Sequence, residues 1–315
     1  MSSPPTVVKL EDFTHHPDLP FHLVPDVHDW QPPSELGVTK YRSPVGRGAD
    51  LEALLLNQGS EVLLVSLHGA TNRETVTLPR FERLRTFRGM PYSSLYFADP
   101  ALQLDEGLTL AWYTGWEDLP LPDILADWVS RAAAAVGARK VVFMGGSGGG
   151  FACLQVSPRV PGSVAIPINP QTAIPRYVPG GSWRPARNYI RTVMPHLTPP
   201  EGLEAITTEW GDPAGDRLNV VERYRTPQPN RVLYVQNLND HTHIGDHYEL
   251  FRRAVAEAGV EGERVRYFEY DGPHRHAVPD WELTSGVLRQ ALAWLDEPGR
   301  SRSSGPDEVA DLQPA

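Results

Sequence analysis

The chain has 315 residues, 40% of them hydrophobic, enough to bury a large core and suited to one α/β domain carrying an insertion. A formal charge of -10, from 39 Asp and Glu against 29 Lys and Arg, argues against a nucleic-acid partner, because such partners are met by clustered cations. Cys153 is the only cysteine, so no intrachain disulfide can form; with neither a basic-plus-apolar leader nor an apolar run of about 20 residues, the expected setting is the cytoplasm, without membrane attachment.

Residues 1–38 are rich in Pro, His and Asp and keep no period, which predicts an N-terminal arm outside the core. His15, His16, His22 and His28 follow neither helical nor strand spacing and are expected to face solvent rather than hold a metal. From Val38 the pattern becomes short strands broken by glycine. Thr39 to Pro44 and Leu51 to Asn57 read as an antiparallel edge pair, and Glu61 to Leu67 as a buried central strand. That strand ends in His68-Gly69-Ala70-Thr71, which leaves unpaired backbone N–H groups above the sheet. Leu95 to Ala98 is a further buried strand, and Leu108 to Tyr113 is expected to extend the sheet or form a hairpin. Pro122-Asp123 opens a helix whose apolar positions Ile124, Leu125, Trp128, Ala132 and Val136 keep helical spacing up to Gly137.

The helix leads into Val141-Val142-Phe143-Met144, an apolar run that stops at Gly145-Gly146-Ser147-Gly148-Gly149. A strand ending in Gly-x-Ser-x-Gly predicts a sharp strand-to-helix turn, a nucleophile elbow that lifts the Ser147 hydroxyl clear of the sheet. A phosphate-cradling loop fails on spacing, since Phe151 stands where the third glycine belongs and no Gly-Lys-Ser/Thr follows. Cys153, in the helix after the turn, is expected to be a buried thiol.

Val164 to Ile168 is the next strand, ending in Asn169-Pro170-Gln171-Thr172. From there the repeat breaks into a Pro-rich stretch bearing Tyr177, Trp183, Tyr189 and Trp210, with a short helix over Ala186 to Met194. Residues 171–228 are therefore predicted to be a cap over the carboxyl edge of the sheet, between the sixth and seventh core strands. The repeat resumes with strand Arg231 to Asn237, then Leu238-Asn239-Asp240, and a helix striped by Leu250, Phe251, Ala254, Val255 and Ala258. Strand Arg264 to Tyr270 leads into Asp271-Gly272-Pro273-His274-Arg275-His276, and a final helix from Pro279-Asp280 carries Trp281, Val287, Leu288, Ala291, Leu292 and Leu295. Residues 298–315 are polar and predicted to be a disordered tail.

Three chemical groups thus follow core strands in the order Ser147, Asp240, then His274 or His276. Asp246 and Asp271 compete for the acid, but Asp240 alone directly follows a strand placed to carry it. Between the histidines, His276 is preferred because the longer loop gives reach. From about residue 39 to 297 the sequence resembles the α/β-hydrolase-fold serine hydrolases of esterase and lipase type. The resemblance implies a mostly parallel central sheet flanked by helices, and a triad in which Ser147 attacks, His276 carries the proton and Asp240 orients the imidazole. It also implies oxyanion donors at the N–H of Gly148 and of Ala70, with Gly69 the alternative because the family's His-Gly-Gly-Gly reads here as His68-Gly69-Ala70-Thr71.

A rival pattern, His241-Thr242-His243-Ile244-Gly245-Asp246-His247, resembles the metal cluster of metallo-β-lactamase-like enzymes. One extra residue before Asp246 and the amphipathic helix that follows argue against it, so no metal and no cofactor is expected. The expected activity is hydrolysis of a carboxylic ester or similar small acyl compound through an acyl-enzyme. Acyl transfer with the same triad and a non-catalytic binding protein on the same fold are the alternatives. Oligomeric state is not fixed by these patterns.

Overall fold

The computed structural model describes residues 6–10, 19–277 and 279–297. His15, His16 and the expected tail at 298–315 lie outside the described residues.

Nine strands form one sheet: β1 (Phe21–Leu23), β2 (Gly37–Gly46), β3 (Ala49–Asn57), β4 (Val62–Leu67), β5 (Ser93–Ala98), β6 (Lys140–Gly146), β7 (Val164–Ile168), β8 (Arg231–Asn237) and β9 (Val265–Tyr270). Their spatial order is β1-β2-β3-β5-β4-β6-β7-β8-β9. β2 pairs antiparallel with β3, and β3 antiparallel with β5; every other pairing is parallel. The helices that matter for the site are α1 (Leu121–Val136), α2 (Gly148–Val156), α3 (Arg184–Thr192), α4 (Glu249–Ala258) and α5 (Trp281–Asp296). No helix among the described residues is long and apolar enough to cross a membrane.

The continuous apolar runs of β4 and β6 follow from burial on both faces. Alternate side chains enter opposite cores: Leu63, Val65, Leu67, Val141 and Phe143 pack with α1, α2 and α4, whereas Leu64, Val142 and Met144 pack with Val287, Leu288 and Trp294 of α5. α2 is buried along its whole length, including Cys153, whose thiol burial pushes well above its ordinary pKa.

Two expectations are corrected. The stretch before residue 38 is not simply a peripheral arm, because it adds β1 to the sheet edge and buries Trp30. Trp30 stacks on Trp128 of α1 at 4.2 Å between ring centroids, and Trp128 Nε1 donates to Val27 O at 2.8 Å. A non-periodic segment can supply core when single large aromatics, rather than a stripe, make the contact. The insertion lies between β7 and β8, the sixth and seventh strands counted from β2, and there short helical turns and α3 replace the regular repeat. Leu108 to Tyr113 is neither strand nor hairpin but a buried loop, with Trp112 and Tyr113 both at left-handed φ (55° and 56°). Its apolar residues pack against α2 instead of pairing with the sheet: Leu110 Cδ1 and Trp112 Cδ1 approach the Cα of Gly148 so closely that a Cβ there would lie 2.4 and 3.2 Å from them.

Because Trp30 ties the N-terminal segment to α1, Trp30→Ala is expected to cost about 3–5 kcal/mol of unfolding free energy. Urea denaturation followed by circular dichroism measures it; a loss below 1 kcal/mol would mean the segment is only loosely attached.

Candidate active site

The site begins with a backbone crossing. Ser147 sits between β6 and α2 at φ 56°, ψ -120°, a conformation a side-chain-bearing residue adopts only when its surroundings enforce it. A Cβ on Gly145 would lie 2.4 Å from the Gly149 carbonyl, and one on Gly149 would lie 2.2 Å from Leu67 O. The elbow therefore closes only because both positions lack a side chain. Ser147 is half-buried, and its hydroxyl opens on a cavity of about 190 Å³ lined by Gly69, Ala70, Arg80, Tyr177 and His276 among others.

Asp240 and His276 meet beside that cavity. Asp240 is buried at the end of the turn after β8, and its Oδ2 lies 2.7 Å from His276 Nδ1. His276 and Ser147 line the same cavity, while His274 does not and lies tilted against His241 at 6.3 Å between ring centroids. No hydrogen bond joins His276 to Ser147 among the described residues; instead Ser147 Oγ accepts one from Gln171 Nε2 at 2.8 Å. Asp246 lies apart, exposed and 3.7 Å from Arg176 Nη1.

A second imidazole completes the cluster. Residues 241–258 form one helical segment: His243 closes its first turn, three residues past Asp240, and His247 lies in the π turn Ile244–Tyr248, and both are buried. His243 Nδ1 lies 3.1 Å from Asp240 Oδ1, its ring stacks on His276 at 4.2 Å, and its Nε2 lies 2.8 Å from Gln171 Nε2. Burial alone would raise the Asp240 carboxyl pKa, but hydrogen bonds from His243, His276 and Thr242 outweigh it and hold the group well below the ordinary carboxylate range. Burial lowers His243, more than Asp240 restores, and the neighbouring His276 lowers it further. Burial likewise pushes His247 far down; its Nδ1 accepts from Thr172 N at 3.2 Å.

The donor atoms of Asp240, His243 and His276 lie within 4.8 Å of one another, a spacing that three metal ligands could share. Hydrogen bonding already accounts for it, since both Nδ1 atoms face Asp240 oxygens. The run from His241 to His247 does not converge as the metal-like pattern would require: His241 and Asp246 are exposed, while His243 and His247 turn inward to different partners.

The loop after β4 is held by its own buried network. His68 Nδ1 lies 2.8 Å from Gly69 O and its Nε2 accepts from Asp99 N at 3.1 Å, so the ring is neutral with its proton on Nδ1. His68 N donates to Tyr113 Oη at 3.0 Å, and Asp99 Oδ2 accepts from Tyr113 N at 2.7 Å. Gly69 passes so near the elbow that a Cβ on it would lie 2.9 Å from Gly146 O and 3.5 Å from Ser147 Cβ. Its N–H is committed to Glu82 Oε2 at 3.1 Å, whereas no hydrogen bond among the described residues uses the N–H of Ala70. Gly148 opens α2, so its N–H is one of the donors a helix cannot satisfy internally.

A mostly parallel sheet with the serine elbow after β6, the acid after β8 and the histidine after β9 is the α/β-hydrolase fold. Solved structures share it. The capsule O-acetyltransferase of Neisseria meningitidis serogroup A superposes with a TM-score of 0.55 at 12% identity, covering 84% of this chain and 96% of that one. Carboxyl esterase 2 of the mycorrhizal fungus Tuber melanosporum gives 0.52 at 14% identity over 91% and 96%. The acetyl xylan esterase of Paenibacillus sp. R4 gives 0.51 at 17% over 92% and 96%. No protein-family model matches the chain, and no curated protein does.

Sequence reading missed Gln171 and His243 as site residues. Gln171 had a usable signal, its place three residues past the end of the strand beside the elbow strand. His243 did not, because a single helical turn after Asp240 leaves no mark in hydrophobic spacing.

Burial lowers His68 to about 4, while the unfolded chain takes up that proton near pH 6.5. The group's contribution to stability is therefore present above pH 6.5 and is lost as pH falls through 4. Asp99, raised to about 6 by burial, acts in the opposite sense: its contribution is present below the unfolded value and is lost as pH rises through 6. Comparing His68→Asn with the wild type by urea titration isolates the first. The variant should be less stable at pH 7.5, yet its stability should fall less steeply between pH 6.5 and 4, by about 1.4 kcal/mol per pH unit. Parallel pH profiles would mean that His68 is not held neutral.

Proposed function

We propose that the protein is a serine hydrolase that cleaves small carboxylic esters through an acyl-enzyme, using its own side chains for every proton transfer. The observation that carries this reading is the Asp240–His276 hydrogen bond opening on the cavity that also receives the Ser147 hydroxyl. Asp240 Oδ2 accepts the Nδ1 proton of His276, which leaves Nε2 as the basic nitrogen facing that cavity. In the reaction, Ser147 Oγ attacks the ester carbonyl carbon as its proton passes to His276 Nε2. The tetrahedral oxyanion is met by the N–H of Ala70, which is uncommitted among the described residues, and by the N–H of Gly148 at the head of α2. His276 then returns the proton to the departing alcohol, and a water molecule, activated by the same imidazole, releases the acid and restores Ser147.

The cavity size favours a short acyl group. At about 190 Å³ it falls below the ~300–1,000 Å³ of typical ligand pockets, and Tyr177 closes one side. An uncharged acyl group fits this lining, because the guanidinium of Arg80 is already paired with Glu82 Oε2 at 3.0 Å and Ala70 O at 2.6 Å.

Hydrolysis of nitrophenyl acetate, butyrate and octanoate by the wild type and Ser147→Ala tests the proposal. Expected are a loss of kcat of about 10⁴-fold or more in the variant, and kcat/KM for octanoate at least tenfold below that for acetate. Activity retained by Ser147→Ala would overturn the assignment of the nucleophile. Faster transfer of the acyl group to an added alcohol than to water would assign the acyltransferase reaction instead.

A further inference from the structure

Three residues next to the triad form a hydrogen-bonded chain whose direction is fixed at both ends. Trp112 Nε1 can only donate, and it lies 3.1 Å from Gln171 Oε1. The Gln171 amide is thereby held with its NH₂ facing away from the indole; the flipped amide would set two donors against each other. Its two protons have two acceptors at 2.8 Å, Ser147 Oγ and His243 Nε2. Since His243 Nε2 accepts, the ring carries its proton on Nδ1 and donates it to Asp240 Oδ1, an oxygen that can only accept. Asp240 Oδ1 also accepts from Thr242 Oγ1 at 2.7 Å, and Oδ2 serves His276.

We propose, on the serine hydrolase reading above, that Gln171 is a further catalytic residue, donating to Ser147 Oγ throughout acylation, and that His243 is a positioning residue acting through it. The bond fixes Ser147 Oγ as an acceptor on its Gln171 side, which frees the serine's own proton for His276. As that proton leaves, negative charge grows on Oγ, and the Gln171 N–H is already aimed at it. No electrons or atoms move through Gln171: the O–H bond of Ser147 breaks, the N–H bond of His276 forms, and the amide keeps both protons. His243 keeps the amide from rotating and occupies the second proton of Gln171, which would otherwise be buried without a partner. Asp240 thus orders two imidazoles, one for proton transfer and one for alignment. The assignment explains why a second histidine, buried and stacked on the first, sits in the site without reaching the cavity that holds Ser147.

The test is the rate at which a fluorophosphonate labels Ser147, read alongside kcat and KM for nitrophenyl acetate, in the wild type, Gln171→Leu, His243→Phe, His243→Gln and the Gln171→Leu/His243→Phe double variant. Melting curves verify that each is folded. Gln171→Leu should label and turn over at least ~10-fold more slowly with KM little changed, the loss expected for one hydrogen bond to a reacting atom. His243→Phe should fall in the same direction, and His243→Gln, whose carbonyl can accept from Gln171, should recover most of the rate. The double variant should be no slower than Gln171→Leu alone. A Gln171→Leu variant that labels as fast as the wild type overturns the inference and leaves the hydrolase reading intact. Additive losses in the double variant overturn the role of His243. A folded wild type that takes no label overturns both.

Discussion

The structure depends first on a close approach of backbones. Strand β6, helix α2 and the end of β4 meet around Ser147 at separations that exclude a Cβ at Gly145, Gly149 and Gly69. Hydrophobic burial on both sheet faces presses these elements together, and the glycines let them come close enough to hold Ser147 at φ 56°. The strain is local; the packing that maintains it is spread over two cores. Everything chemical in the site follows from that placement. Ser147 lines a small cavity, the first N–H of α2 lies next to it, and the neighbouring loop adds Ala70, whose N–H has no partner among the described residues, to the same cavity.

Around this fixed point the charges are arranged so that one buried carboxylate organises the rest. Asp240 is paid for by hydrogen bonds from two histidines and a threonine, which keep it ionised despite burial. The two imidazoles stack at 4.2 Å and so resist being cationic together. Burial disfavours a charge on His243, and His276 takes the other oxygen of the same carboxylate. The His68, Asp99 and Tyr113 network does comparable work for the loop after β4, using groups that are buried in their uncharged or hydrogen-bonded forms rather than in solvent.

Much of this was legible in the sequence, for definite physical reasons. Doubly buried parallel strands produce continuous apolar runs, and the elbow needs glycines at two fixed offsets from a serine, so β4, β6 and Ser147 could be located by eye. Asp240 stands just past β8, and the loop after β9 is long enough to bring His276, one of two imidazoles, against it. The parts that escaped were those without a period. Trp30 joins the core through one stacked pair, and Leu108 to Tyr113 is apolar because it is buried as a loop, although its composition suits a strand. His243 reaches Asp240 from three residues further along the chain, in the first helical turn after it, and Gln171 becomes meaningful only once Ser147, Trp112 and His243 are seen around it.

The most direct measurement is a crystal structure of the protein after reaction with a small alkyl fluorophosphonate. The account predicts a single P–Oγ bond at Ser147, with the phosphoryl oxygen about 2.7–3.1 Å from the N–H nitrogens of Ala70 and Gly148, and with His276 still bonded to Asp240. An adduct on another side chain, or a phosphoryl oxygen turned away from both backbone nitrogens, would contradict it.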